Sequence, residues 1–270
     1  MEEIPIIESP RNPRVKAAVK LRKARERRLM ERTLVEGCRE ILRAAESGWV
    51  FQELYFCPDL FLDRDAEKLV SMIRKSGIPT FQCSTVAFRK MSYRDTPDGV
   101  IALSPLAGKT LDKLDLPENP LLLVVDNLEK PGNVGTILRS ADATGVDAVI
   151  ACGHKTDINN PNVIRSSIGT LFFMPVAEAS AEETFSWLKK RDIQIMAAVP
   201  EGGSVYTKVD MLKGTAIVVG SEEDGLSTLW KQGSELRVTI PMLGKNDSLN
   251  VSTAAAILLY EAVRQRMNIL

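Results

Sequence analysis

Hydrophobic and polar positions alternate along this chain in two registers. The first 105 residues mix short strand-like runs with helical periods. Asn12 to Arg32 reads as a basic helix, Thr33 to Glu36 as a short strand and, after Gly37, Cys38 to Glu46 as a helix. Phe51 to Cys57 follows as a strand, then a helix from Asp63 to Lys75 ended by Gly77, then strands at Pro79–Cys83 and Val100–Ser104. Together these predict a small α/β unit over 1–105. Residues 105–120 are polar and hold Pro117 and Pro120, which predicts a linker over 106–120.

From Leu121 the pattern changes. Leu121-Leu-Leu-Val-Val125 is a continuous apolar run of the kind found in strands buried on both faces. A helix is predicted from about Val134 to Thr144, closed by Gly145. Strands are predicted at Ala148–Ala151, Phe172–Val176, Ile193–Ala198, Ala216–Val219 and Leu236–Ile240, with helices at Glu182–Lys190, Leu226–Gln232 and Val251–Arg266. The alternation over 121–270 is that of a parallel, doubly wound α/β sheet, and such sheets bind ligands at the carboxyl ends of their strands.

Composition narrows the class. The chain has 270 residues, of which 44% are hydrophobic and 26% charged, as in a water-facing globular protein. No apolar run has the length of a membrane span, and the N-terminus lacks a signal-peptide core, so a cytoplasmic protein with no membrane partner is expected. Cys38, Cys57, Cys83 and Cys152 are scattered without a paired spacing, which speaks against structural zinc or a disulfide scaffold. The only histidine is His154, so a histidine-based triad or metal site would rest on it alone. No metal is expected. Net charge is zero but uneven: residues 1–105 carry 19 Lys/Arg against 15 Asp/Glu, and residues 106–270 carry 16 against 20. Arg11 to Arg32 holds ten basic residues and two acidic ones, which fits either a solvated helix face or a phosphate-contacting arm.

Three clusters follow predicted strands of the second part: Asn133 to Arg139, Gly220 to Gly225, and Ser248-Leu-Asn250. Ser248 and Asn250 precede a long helix, where a small polar residue is an ordinary N-cap, but the same turn can also hold a ligand with backbone atoms. None of the clusters is a glycine fingerprint with a ribose-binding acid at the expected spacing, nor a P-loop, so a nicotinamide dehydrogenase and an NTPase are disfavoured.

In this order, Pro131-Gly-Asn-Val-Gly-Thr-Ile-Leu-Arg-Ser-Ala-Asp142, Ile217-Val-Val-Gly-Ser-Glu-Glu-Asp-Gly-Leu226 and Ile240-Pro-Met to Ser248-Leu-Asn-Val-Ser252 resemble the signature motifs of the SpoU/TrmH family of RNA 2′-O-ribose methyltransferases, in the SPOUT superfamily. The resemblance covers Leu121 to the C-terminus. It extends to the first part through Leu34-Val-Glu-Gly37 after a basic helix, which resembles the substrate-binding domain many members carry. The second motif departs from the common pattern, with Ser221, Glu222 and Glu223 where the family has Asn, Glu, Gly; the glutamate is kept.

The resemblance implies an α/β fold with a knotted (trefoil) parallel-sheet SPOUT domain over 121–270 and a smaller N-terminal RNA substrate-binding domain over 1–105. It implies a homodimer, and S-adenosylmethionine held mainly through backbone atoms at Gly220, Ile240 and Leu249. Arg139 resembles the family's catalytic arginine; an arginine is too basic to accept a proton at neutral pH, so it either anchors a phosphate or polarises the ribose hydroxyl. A surface ion pair with Glu222 or Asp142 is the plainer alternative. Asn133, Glu222, Ser248 and Asn250 complete the implied catalytic set, against a purely loop-structural role for each. Arg165 can touch RNA or simply be solvated. The implied activity is ribose 2′-O-methylation of a structured RNA, with ribosomal RNA favoured by the separate N-terminal part. A transfer-RNA enzyme and a catalytically inactive RNA-binding member are the alternatives.

Overall fold

The computed structural model describes residues 4–153, 155, 157–221 and 223–267. His154 and Glu222 lie outside the described residues. In chain order the elements begin β1 (Ile6–Ile7), α1 (Pro13–Lys20), α2 (Ala24–Met30), β2 (Arg32–Glu36), α3 (Cys38–Glu46), β3 (Glu53–Phe56), α4 (Ala66–Lys75), β4 (Thr80–Cys83), α5 (Thr85–Met91) and β5 (Val100–Pro105). They continue β6 (Leu121–Asp126), α6 (Pro131–Ala143), β7 (Ala148–Cys152), α7 (Pro161–Ser166), β8 (Val176–Ala179), α8 (Ala181–Lys190) and β9 (Gln194–Ala198). The last are β10 (Ser204–Val205), β11 (Thr215–Val219), α9 (Thr228–Gly233), β12 (Leu236–Thr239) and α10 (Val251–Arg266). They form two compact units. One comprises residues 1–107 with 159–173, the other 108–158 with 174–270.

The first unit is built on a five-stranded mixed sheet in the order β1-β4-β3-β5-β2, in which β5 runs antiparallel to both of its neighbours. Val15, Ala18, Tyr55, Phe88, Met91 and Ile101 are buried in one core cluster. Helix α5 carries no long periodic signal because it has only seven residues; the Ser84 hydroxyl caps it by accepting the Ala87 N–H, and Ala87, Phe88 and Met91 anchor it. The basic stretch from Asn12 to Arg32 is not one helix. It breaks at Leu21, where the N–H groups of Leu21, Arg22 and Lys23 turn back to the carbonyls of Ala18, Val19 and Lys20. The break is fixed by Arg27, only 2% exposed, whose guanidinium donates to the carbonyls of Leu21 (2.7 Å) and Arg22 (3.0 Å). Those carbonyls end α1, and Arg27 supplies the donors they lack.

Segment 159–173 completes this unit. The Thr33 hydroxyl donates to the Asn159 carbonyl (2.7 Å), and the Asn159 side chain both accepts from the Ala107 N–H (2.8 Å) and donates to the Ala107 carbonyl (2.9 Å). The Phe172 ring sits 5.1 Å from Trp49 and 6.4 Å from Phe51. This explains why Phe172 does not start a strand as its apolar surroundings predict. The Thr170–Phe172 stretch is a 3-10 turn buried against those aromatics, and the sheet strand of the second unit begins only at Val176.

The second unit is a seven-stranded parallel sheet in the order β10-β12-β9-β11-β6-β7-β8. All six residues of β6 are buried, as its continuous apolar run demands. Part of the expected linker belongs to this unit: Lys109 exchanges backbone hydrogen bonds with Val176 and Glu178 beside β8, and Leu111 and Leu114 are buried in its core. The two leucines give a polar segment enough apolar surface to dock. All four cysteines are buried free thiols, and among the described residues no helix is long and apolar enough to cross a membrane.

Candidate functional site

Because every strand of the second sheet is parallel, the loops that leave their carboxyl ends emerge on one edge. Three of these loops enclose a cavity of about 330 Å³, within the size range of small-ligand sites.

The first wall is the turn after β11. A Cβ placed on Gly220 would lie 2.5 Å from the Gly225 carbonyl carbon and 2.6 Å from the Leu226 nitrogen. Two limbs of backbone meet there with no room for a side chain. The turn is pinned by the Ser221 hydroxyl, which accepts the Asp224 N–H (3.0 Å), and by the Gly225 N–H donating to the Ser221 carbonyl (3.0 Å). The second wall is the chain from Ile240 to Leu249, which leads into α10. The third is the end of β9, at Ala198, Val199 and Pro200, while Val219, Leu226, Val238 and Leu258 supply an apolar floor.

The structure brings Gly220, Ile240, Ser248 and Leu249 to this one cavity. Asn250, next in the chain, is the N-cap of α10: its Oδ1 accepts the Ser252 N–H (3.0 Å) and the Ser252 hydroxyl (2.6 Å). Its Nδ2 donates to Asn133 Oδ1 at 3.2 Å, which ties the third motif to the first turn of α6. Capping and inter-motif contact are therefore made by one side chain. Arg139 lies outside the cavity wall, on the exposed side of α6. Among the described residues it has no hydrogen-bond or ion-pair partner, so the expected alternative of a pair with Asp142 is not formed. Arg165 is exposed on α7 and belongs to the first unit.

Charge in the wall is acidic on balance: Glu223, Asp224 and Asp247 face Lys231. Lys155, after β7, pairs with Glu129, after β6, and, at 3.4 Å, with Asp224 in the turn after β11. These are solvent-exposed surface pairs that add little to stability, but they tie the loops that carry them together. Behind the cavity edge, Asp126 ends β6 almost wholly buried. Burial pushes its carboxyl above the usual range, and a bond from the Ser227 N–H works against that shift. The wall residues Val199, Pro200, Lys231 and Asp247 escaped the sequence reading. The first two follow a predicted strand end and Asp247 directly precedes Ser248 in the third motif, which are the signals that find them; the side chain of Lys231 carries none.

Residues 120–260 match the family model of the SpoU rRNA methylase family, and residues 12–102 match the MRM3-like substrate binding domain. The chain belongs to the SpoU rRNA methylase family. It is 32% identical to the 23S rRNA (uridine(2479)-2′-O)-methyltransferase of Streptomyces viridochromogenes over 87% of this chain and 83% of that one. It is 29% identical to the 23S rRNA (guanosine(2553)-2′-O)-methyltransferase RlmP of Bacillus subtilis over 94% and 97% of the two chains. A crystal structure of an AdoMet-bound rRNA methyltransferase from Sinorhizobium meliloti superposes with a TM-score of 0.88 at 26% identity, covering 99% of each chain.

Proposed function

We propose that this protein methylates a ribose 2′-hydroxyl of 23S ribosomal RNA, with S-adenosylmethionine as the methyl donor. The observation that carries the reading is the single cavity lined by Gly220, Ile240, Ser248 and Leu249, with Asn250 reaching Asn133 beside it. The cavity fits the donor on its own features. It has an apolar floor for a purine ring, a turn whose Gly220 presents only backbone, and an acidic balance that suits a ligand carrying a sulfonium and an ammonium group. Gly220, Ile240 and Leu249 would hold the donor through main-chain atoms. When bound, it supplies an electrophilic methyl group.

The chain's own residues then have to place the nucleotide. Arg139, exposed and unpaired among the described residues, anchors a phosphate next to the target ribose, where its planar fork gives bidentate geometry. A guanidinium offers N–H donors and no acceptor, so this side chain does not act as the base. Asn133, in the first turn of α6, and Asn250, at the N-cap of α10, hold the two helix starts in register, and Ser248 offers a hydroxyl at the cavity wall. Positioning of this kind supplies much of the rate in group transfer. Glu222 completes the set by resemblance. The trefoil threading, the homodimer and a cytoplasmic location belong to the same reading. Leu212, Tyr260 and Met267 are large apolar side chains left exposed on the second unit, which supports a second copy covering them. Light scattering on the purified protein is expected to give twice the chain mass.

Calorimetric titration with S-adenosylmethionine, followed by mapping of ribose methylation on 23S and transfer RNA, tests the function. Binding of the donor and a single methylated position in 23S RNA are expected. Binding of NAD without S-adenosylmethionine, or methylation confined to transfer RNA, overturns it.

A further inference from the structure

The first unit holds a second cavity, about 460 Å³, that the methyl-transfer site does not use. It is bounded by Arg22 after α1, Arg89 near the end of α5, and the loop from Ser92 to Pro97. The loop is built around a buried carboxylate. Glu36 accepts the Ser92 hydroxyl, the Tyr93 N–H (2.6 Å) and the Arg94 N–H (3.2 Å). The Arg94 guanidinium in turn donates to the Glu36 carbonyl (2.7 Å), Glu40 (2.8 Å) and Asp98 (3.4 Å). It passes over Gly37, where φ is +126° and a Cβ would lie 2.5 Å from its Nη2. That is why the Leu34-Val-Glu-Gly37 run needs its glycine.

The effect of this scaffold is to present groups it does not itself need. Tyr93 is 36% exposed, and among the described residues its hydroxyl has no partner. Arg22 is fixed by two bonds from Nη2 to the carbonyls of Lys90 and Ser92, while its Nη1 and Nε make no bond among the described residues. Arg89 is exposed and likewise unpaired. Asp95 is the one acidic residue of the lining, against three arginines, of which Arg94 is taken up by Glu40 and Asp98 while Arg89 and the Nη1 and Nε of Arg22 keep their donors. A preorganised guanidinium, a second one beside it and an exposed aromatic ring are the elements by which proteins hold an unpaired nucleotide: phosphate on the cations, base on the ring.

We propose that this cavity seats one nucleotide of unpaired RNA, its phosphate between Arg22 and Arg89 and its base stacked on Tyr93. The inference rests on the reading of the protein as an RNA methyltransferase and names where the first unit grips its substrate. An unpaired strand is required because a base within a duplex has no free face for Tyr93.

The test uses the whole protein, a fluorescently labelled single-stranded oligoribonucleotide and a duplex of the same length. Arg89 and Tyr93 make no side-chain bonds that hold the fold, so Arg89→Ala and Tyr93→Ala are expected to keep the wild-type unfolding midpoint. Each is expected to weaken single-strand binding about tenfold, in line with the stacking and phosphate contributions of such sites. Arg89→Ala flattens the salt slope by about 0.7, the value for one lost phosphate contact on a single strand, whereas Tyr93→Ala leaves the slope unchanged and Tyr93→Phe binds as wild type. In methyl transfer both raise KM for RNA and leave kcat and donor affinity alone. Wild-type binding by both variants, or equal losses on duplex and single strand, overturns the nucleotide seat. Absence of methyl transfer by the unaltered protein instead overturns the functional reading, and the binding comparison separates the two.

Discussion

Gly220 and Arg139 sit at opposite ends of what a residue contributes here. At Gly220 any side chain collides with backbone 2.5–2.6 Å away, and backbone does not yield as a flexible side chain would. Gly220→Ala is expected to distort the turn at a cost of about 1–3 kcal/mol and to abolish donor binding in calorimetry, while the protein stays folded. Arg139 is exposed and makes no hydrogen bond or ion pair among the described residues, so Arg139→Ala is expected to leave the unfolding midpoint unchanged. Its loss is expected in turnover, about 2–4 kcal/mol of transition-state stabilisation, with unchanged donor affinity. A folded Arg139→Ala protein with normal turnover rules out the phosphate-anchoring role. The thiols behave oppositely to a reactive site. Burial pushes Cys38, Cys83 and Cys152 up to about 12, so thiolate is scarce at pH 8 and the native protein is expected not to react with a disulfide reagent until denatured. Between pH 9 and 12 the folded chain holds protons on these thiols that the unfolded chain has released. Stability therefore falls as pH rises through that window, and denaturant midpoints measured at pH 8, 9 and 10 are expected to decline from the second to the third.

At the scale of elements, what the sequence made legible was what periodicity and composition encode. The buried run of β6 and the helices α6 and α10 fall where the pattern places them. What was hidden depended on partners far along the chain. Strand β1 is two residues long and exists only because β4 pairs with it; no local pattern that short can announce itself. The basic stretch shows the converse. Its composition is uniform enough to suggest one helix, but Arg27 is consumed as a buried donor to two carbonyls, and Arg14 and Arg32 both turn to Glu53. A charge count therefore overstates the cations available to RNA. Arg27→Leu is expected to destabilise the protein by about 1–3 kcal/mol, because two carbonyls at the α1 break lose their donors. The denaturant midpoint measures this. The salt slope of RNA binding should be unchanged in the folded fraction, which separates a structural arginine from a phosphate-binding one. Within the site the same division holds: Gly220, Ile240, Ser248 and Leu249 were readable as motif residues, whereas Lys231 reaches the wall only through the fold.

For the whole molecule, the path of the chain between its two units decides what can be removed. A single linker before Leu121 would let residues 1–105 be deleted cleanly. The chain instead returns: residues 159–173 fold with the first unit, after β7 and before β8 of the second. Val163, Ile164, Leu171 and Phe172 are buried there, and Asn159 loses its Thr33 and Ala107 partners if the first unit is cut away. Burial of an aliphatic or aromatic side chain is worth about 1.5–3 kcal/mol, so truncation to residues 108–270 uncovers a contiguous apolar segment in the middle of the catalytic unit. That fragment is expected to aggregate or to melt well below the full chain, despite an intact sheet. Replacing Val163, Ile164, Leu171 and Phe172 with serine in the fragment is expected to restore solubility and donor binding, because none of the four lines the cavity. RNA affinity should stay low in the rescued fragment and its salt slope shallow, since the cations of the first unit are gone. If the unaltered fragment is as soluble and heat-resistant as the rescued one, the returning segment does not depend on the first unit; if the rescued fragment binds RNA with full affinity and salt dependence, the first unit is not where the substrate is gripped.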